Sequence, residues 1–91
     1  AAPGSRFWEA LRVELLLDLA YAELDEGQRD SALERARTVL AAEDAGVAPR
    51  LDACELLIRA GAMGEARRAA GRIADAHPYP RAIRLAGSRG E

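Results

Sequence analysis

One pattern of residues occurs twice in this chain, with a 34-residue period. The stretch LDLAYAELDEGQRDSALERA at residues 17–36 shares leucine, aspartate, glycine and alanine positions with LDACELLIRAGAMGEARRAA at residues 51–70. A fixed period of this length is the signature of stacked repeats, in which each unit buries its apolar side chains against a neighbour. We infer one structural unit present twice, from the pairs Leu17/Leu51, Asp18/Asp52, Gly27/Gly61, Ala32/Ala66, Ala36/Ala70, Val39/Ile73 and Ala42/Ala76.

Apolar residues at helical spacing predict that each unit is a pair of helices. The first helix is predicted at residues 6–26, and it ends at Gly27 because glycine readily takes the left-handed conformation common after a helix. Asp30 or Ser31 is the predicted N-cap of the second helix. The turn between the two helices is therefore short.

The second unit follows the same plan. A third helix is predicted at residues 49–60 and a fourth at residues 63–76, and the prolines at positions 78 and 80 prevent the fourth helix from continuing. Small residues in the first helix of each unit, Ala20 and Cys54, allow close crossing by the alanines of the second helix. We predict an all-α fold of four helices, arranged as two stacked antiparallel helical hairpins.

The 34-residue period, the turn glycines, the paired alanines and Pro78 resemble the tetratricopeptide repeat family over about residues 13–80. The chain departs from the family pattern where a large aromatic residue is usual, since Leu16 and Arg50 occupy that position and alanines replace the aromatic of the second helix. A divergent helical-hairpin repeat of another kind resembles the chain equally well. The resemblance implies a non-enzymatic module that binds a partner protein or peptide, as part of a larger regulator or scaffold.

In that family the first helix of each hairpin lines a groove that holds the partner. We call the corresponding surface the first-helix face. The alternative is that these side chains form the core or pack on a further unit. Residue by residue, the resemblance implies that the lining consists of Glu14, Leu17, Tyr21, Leu24, Asp25, Glu55, Ile58 and Arg59.

The first helix carries more apolar surface than one hairpin can cover. Phe7, Leu11, Leu15 and Leu19 form one stripe at helical spacing, and further apolar residues lie beside it. Phe7 and Trp8 form either a hydrophobic cap over the end of the stack or a contact with a partner or a second copy. The alternative function is homodimerisation or docking, in which Leu17, Tyr21 and Leu24 meet their copies across a two-fold axis.

Charge and composition argue against several other classes of protein. The formal net charge is −2 in 91 residues, so the arginines of the fourth helix indicate a solvated surface or an acidic protein partner ahead of nucleic acid. A helical regulator of nucleic acid is the weakest alternative. No apolar run reaches the roughly 18 residues of a membrane span. All thirteen basic residues are arginine, a composition typical of a high-GC bacterial genome.

Catalytic or metal chemistry has little support in the sequence. The chain contains one histidine and one cysteine and none of the common catalytic or phosphate-binding motifs. His77 follows a helix end, and Cys54 lies on an apolar helix face where burial raises a thiol pKa. We therefore expect no enzyme activity, no cofactor and no metal.

The predicted domain organisation is simple. Residues 1–5 are expected to be a disordered N-terminal segment or a cloning remnant, residues 6–80 the two-hairpin domain, and residues 81–91 a basic C-terminal tail. A single cysteine cannot form an internal disulfide, and no secretion signal is recognisable. We expect a cytoplasmic protein.

Overall fold

The computed structural model describes residues 4–42 and 45–87, with side chains described from residue 7 onward. The described residues are helical or in short turns, and none of them forms a strand. The all-α prediction is therefore confirmed. The helices are α1 (Gly4–Asp25), α2 (Arg29–Ala41), α3 (Val47–Arg59), α4 (Met63–Ala76) and α5 (Pro80–Ala86).

The prediction of four helices is wrong, because a fifth helix follows α4. The prolines do end α4, but Pro80 is the first residue of α5, where a missing N–H is harmless and the fixed φ suits a helix. Residues 81–86, which were predicted to belong to the tail, are thus helical and pack on α3 and α4. Helix α1 begins at Gly4, inside the predicted N-terminal segment, and residues 1–3 and 88–91 lie outside the described residues.

The turns after α1 and α3 have the same hydrogen bonds at equivalent positions of the two units. Gly27 (φ 80°) and Gly61 (φ 93°) adopt the left-handed conformation predicted for them. The N–H of Gln28 donates to the carbonyl of Glu23 at 2.7 Å, and the N–H of Ala62 donates to the carbonyl of Leu57 at 2.8 Å. Both turns therefore pair the last carbonyls of their helix through the same hydrogen-bond pattern, the Schellman motif.

The start of α2 differs from the prediction. Neither Asp30 nor Ser31 is the N-cap, since α2 already begins at Arg29 and Gln28 caps it without a side-chain hydrogen bond. The Schellman turn leaves no space for an extra capping residue before the helix. The side chain of Arg29 instead donates from Nε to the carbonyl of Ala60, which joins the start of α2 to the end of α3.

The helices pack in chain order, and α3 is central. Each helix contacts the next one, and α3 also contacts α1 on one side and α5 on the other. The core contains both members of several equivalent pairs, so these positions are buried alike in the two units. Buried pairs are Leu17/Leu51, Ala20/Cys54, Ala32/Ala66, Ala36/Ala70 and Val39/Ile73.

Two arginines of α2 form ion pairs with other helices. Arg35 of α2 donates from Nε to Glu23 of α1 at 2.7 Å, and Glu23 is itself buried. Arg37 of α2 forms a two-pronged pair with Glu65 of α4, at 2.8 and 2.9 Å. These contacts orient α2 against both α1 and α4, and they leave the other side of α1 uncovered.

Candidate functional site

The apolar members of the first-helix face lie partly in the core. Leu17 is 6% exposed, so its side chain belongs to the core and is not available to a partner in this structure. Leu24 and Ile58 are half-buried against the core. Tyr21 is half-buried as well, and only its outer part faces solvent. This face therefore presents the edges of apolar side chains between polar groups.

Two charged members of the same face, Arg59 and Glu55, contact other residues. The guanidinium of Arg59 lies 5.7 Å from the ring centroid of Tyr21, within cation–π distance. Burial first, and then the nearby carboxylates of Asp52 and Glu55, raise the pKa of Tyr21. The phenol is thus kept neutral among charges from α3.

Helix α5 contributes a residue that sequence reasoning did not assign to this face. Arg81 donates from Nη2 to Asp52 at 2.5 Å and also to Glu55, so a single guanidinium binds two carboxylates one turn apart on α3. The sequence contained a signal for this contact. Asp52 and Glu55 are three residues apart and so lie on the same side of a helix, and Arg81 is a basic residue just after the prolines. Of the predicted charged residues, Glu14 and Asp25 remain exposed.

Four exposed large apolar side chains lie elsewhere, along the side of α1 that faces away from the core. Leu15 is about 160° around the helix from both Val13 and Leu17, which are buried. We call this surface the outer face of α1. Its members and their exposed fractions are Phe7 (64%), Trp8 (65%), Leu15 (59%) and Leu19 (44%).

The aromatic residues of the outer face contact each other. The rings of Phe7 and Trp8 are 5.4 Å apart with an interplanar angle of 72°, an edge-to-face arrangement. Both rings nevertheless remain about two-thirds exposed. They do not cover the end of the helix stack, so the cap that the sequence suggested is not formed by the described residues.

The same side of α3 is covered. One repeat period beyond Leu19 and Ala22 lie Ala53 and Leu56, and both are fully buried. Helix α3 packs there against the first hairpin, through its contacts with α1 and α2. The outer face of α1 is thus the position that a preceding helical hairpin occupies in the second unit.

The cysteine is buried, and the histidine lies beside an aromatic ring. Cys54 is fully buried, and burial raises the pKa of its thiol to about 11, which disfavours the reactive thiolate. The His77 ring lies 5.9 Å from the ring of Tyr79. In the part of the chain that the structure describes, no group of three or more His, Cys, Asp or Glu side chains is placed to hold a metal ion. Of the helices described, none is long and apolar enough to cross a membrane.

Comparison with known proteins finds no similarity that bears on function. No protein family, curated protein or solved structure matches this chain. The function of the chain is therefore inferred from the geometry of its surface.

Proposed function

We propose that this chain is a non-enzymatic protein-interaction module that docks through the outer face of α1. The observation that carries this proposal is the exposure of Phe7, Trp8, Leu15 and Leu19 along one side of a helix whose other side is buried. Isolated exposed apolar residues are ordinary, but four large ones on a single helix, including both phenylalanine and tryptophan, are typical of an interaction site.

We further propose that the hairpins stack as they do in the tetratricopeptide repeat family. Three features support this: the equivalence of the buried positions in the two units, the matching turns at Gly27 and Gly61, and the packing of α3 against both α1 and α5. In such a stack each unit covers one side of the next. The outer face of α1 is then the side of the first unit that remains available for docking.

The first-helix face is the weaker candidate surface. Arg81 binds Asp52 and Glu55, and Arg59 lies over Tyr21, so a partner there has to compete with contacts already made. Displacing paired charges costs desolvation energy that new contacts recover only with good geometry. The outer face of α1 has no such contacts to break.

The occupant that we propose is a second copy of this chain. The four side chains expose roughly 450 Å² of apolar surface, taking about 150–250 Å² for a fully exposed large side chain. Two copies packed face to face remove twice that area, about 900 Å², and flanking residues bring the total toward the roughly 1,200 Å² at the lower end of specific interfaces. An apolar stripe is also complementary to itself, as a two-fold interface requires. We expect a reversible dimer of modest affinity.

Sedimentation velocity from about 1 µM to about 1 mM tests this directly, because a modest interface corresponds to micromolar dissociation. The wild-type protein is expected to change from monomer to dimer over this range. Leu15→Glu places a charge in the centre of the outer face, and it is expected to weaken dimerisation by tenfold or more, since burying a leucine is worth about 1.5–3 kcal/mol.

Ile83→Glu is the matched control. Ile83 on α5 is also about half exposed, and it receives the same change of charge away from α1. Circular dichroism checks that both variants remain helical. A wild-type protein that stays monomeric at the highest concentration, or equal weakening by both substitutions, would contradict self-docking through α1.

A further inference from the structure

A cationic cavity lies between α2, α3 and α4, on helices that do not contribute to the outer face of α1. Its volume is about 280 Å³. Arg50 of α3, Arg72 of α4 and His77 after α4 line it together with the apolar side chains of Leu40 and Ile73. No carboxylate is among the described residues that line it. The cavity is therefore a small, partly apolar space with two guanidinium groups at its wall.

Arg50 has an unsatisfied donor at this cavity. Its Nε atom is buried and has no hydrogen-bond partner among the described residues. A guanidinium is always charged, and a buried N–H without an acceptor loses the hydrogen bond it makes in water. Such groups in a folded protein call for a specific explanation, and a binding role is one.

Comparison of the two hairpins shows what Arg50 lacks. In the first hairpin, Arg35 lines the equivalent cavity together with Leu16, and it forms its ion pair with the buried Glu23. One repeat period later, Ala69 stands at the position of Arg35 and Arg50 at the position of Leu16. Leu57 stands at the position of Glu23. The second hairpin thus also places an arginine at the cavity, but it has a leucine where the first hairpin has the carboxylate.

We propose that the cavity of the second hairpin binds the oxyanion group of a ligand, a phosphate or a carboxylate. The oxyanion accepts hydrogen bonds from an arginine of the second hairpin, as the carboxylate of Glu23 does from Arg35 in the first. The guanidinium of Arg50 donates to it, and the guanidinium of Arg72, which is exposed, approaches from the solvent side. The role of each arginine follows from its exposure.

The volume and lining restrict the ligand further. At about 280 Å³ the cavity is smaller than most sites for whole small molecules, so it suits one anionic group and the few carbon atoms next to it. Leu40 and Ile73 supply apolar contact for those carbon atoms. The ligand class is accordingly a small organic phosphate or carboxylate, or such a group at the end of a larger molecule.

Backbone amide NMR titrations with inorganic phosphate and, separately, with acetate test the proposal, with chloride at matched ionic strength as the reference. We expect saturable shifts at residues 50 and 69–77 with one or both anions and none with chloride. The two arms distinguish the sources of the oxyanion, since tighter binding of phosphate indicates a phosphate ligand and the reverse order indicates a carboxylate.

Arg50→Leu is the informative variant, because it places at position 50 the residue that the first hairpin has at the equivalent position 16. We expect it to weaken anion binding about tenfold, the loss expected for one charge-assisted hydrogen bond. Arg68→Leu on the exposed side of α4 makes the same charge change outside the cavity, and it is expected to leave binding nearly unchanged. Arg72→Leu, at an exposed position, provides a second cavity variant if Arg50→Leu does not fold.

Two results would overturn the proposal. Shifts in the wild-type protein that do not saturate, or that occur equally with chloride, would mean that Arg50 needs no ligand. Equal weakening by Arg68→Leu and the cavity variant would mean that general surface charge attracts the anion. Both results leave dimerisation through α1 untouched, so this proposal and the proposed function fail separately.

Discussion

Substitution of Ala66 by leucine tests the helix crossing on which the second hairpin depends. Ala66 on α4 is fully buried, and Cys54, the small residue of α3, is fully buried too. A leucine adds three carbon atoms to a position with no exposure to solvent. If the core were loose, burying these atoms would stabilise the fold by up to about 2.4 kcal/mol, at about 0.8 kcal/mol for each carbon.

We expect the opposite sign, because the space is already filled. Forcing extra carbons into a close-packed helix crossing moves the helices apart or imposes poor rotamers, which typically costs about 1–3 kcal/mol. For a domain of this size, that corresponds to a decrease of roughly 5–20 °C in Tm. Ala32→Leu, at the equivalent fully buried position of the first hairpin, is expected to have a similar cost.

Urea denaturation followed by circular dichroism at 222 nm measures the change in the free energy of unfolding. An unchanged slope with denaturant indicates that the variant unfolds in the same way as the wild type. Ala10→Leu, at an exposed position of α1, is the control, and it is expected to change the free energy by no more than about 0.5 kcal/mol. A neutral or stabilising result at Ala66 would refute the close crossing, and unequal costs at the two positions would refute the structural equivalence of the hairpins.

Three further predictions concern individual contacts. Because burial raises the pKa of Cys54 to about 11, a thiol reagent at pH 8 is expected to label it only at the rate of unfolding, and rapid labelling of the native protein would contradict its burial. Hydrogen bonds from Arg37 lower the pKa of Glu65 below its ordinary value of 4.5. The stability that this pair contributes is therefore complete above pH 4.5, and it is lost as the pH falls through the lowered pKa of the folded state. The difference in unfolding free energy between wild type and Glu65→Gln, measured by urea denaturation across pH, should therefore shrink in acid, and a constant difference would argue against the pair. Tyr21→Ala is expected to destabilise the fold by about 1–3 kcal/mol in the same assay, because a half-buried ring and its contact with Arg59 are lost. Unchanged stability would contradict the packing of this ring against the core.

The helices and the turns between the helices of each hairpin could be predicted from the sequence because their causes are local. Gly27 and Gly61 end their helices through backbone conformations that few other residues adopt readily, and their signal is contained in a few neighbouring residues. Helix α5 was missed because it is short and lies close to two prolines. Pro78 follows the end of α4, and Pro80 is the first residue of α5. At Pro80 the local signal is the same for ending a helix and for beginning one, and packing on α3 and α4 decides between them.

The candidate site was less predictable, because it depends on which side of a helix is covered. Leu15 and Leu17 are both apolar and both lie on stripes of α1, yet Leu17 is in the core and Leu15 is exposed. Helical spacing reports that a stripe is apolar, and it does not report whether another helix lies against it. For this reason the sequence placed Leu17 on the first-helix face and did not single out Leu15 as a binding residue.

Side-chain size, backbone preference and spacing along the chain were enough to establish the all-α class, the repeat period and the small residues at the helix crossings. The packing of the helices was needed to show that Arg81 binds Asp52 and Glu55, and that the buried Nε of Arg50 has no acceptor among the described residues. Such pairings join residues that are far apart in the chain, and a charge finds its partner only when the packing of helices fixes the distance between them. For that reason the repeat was readable from the sequence, whereas the two hairpins' different use of arginine was not.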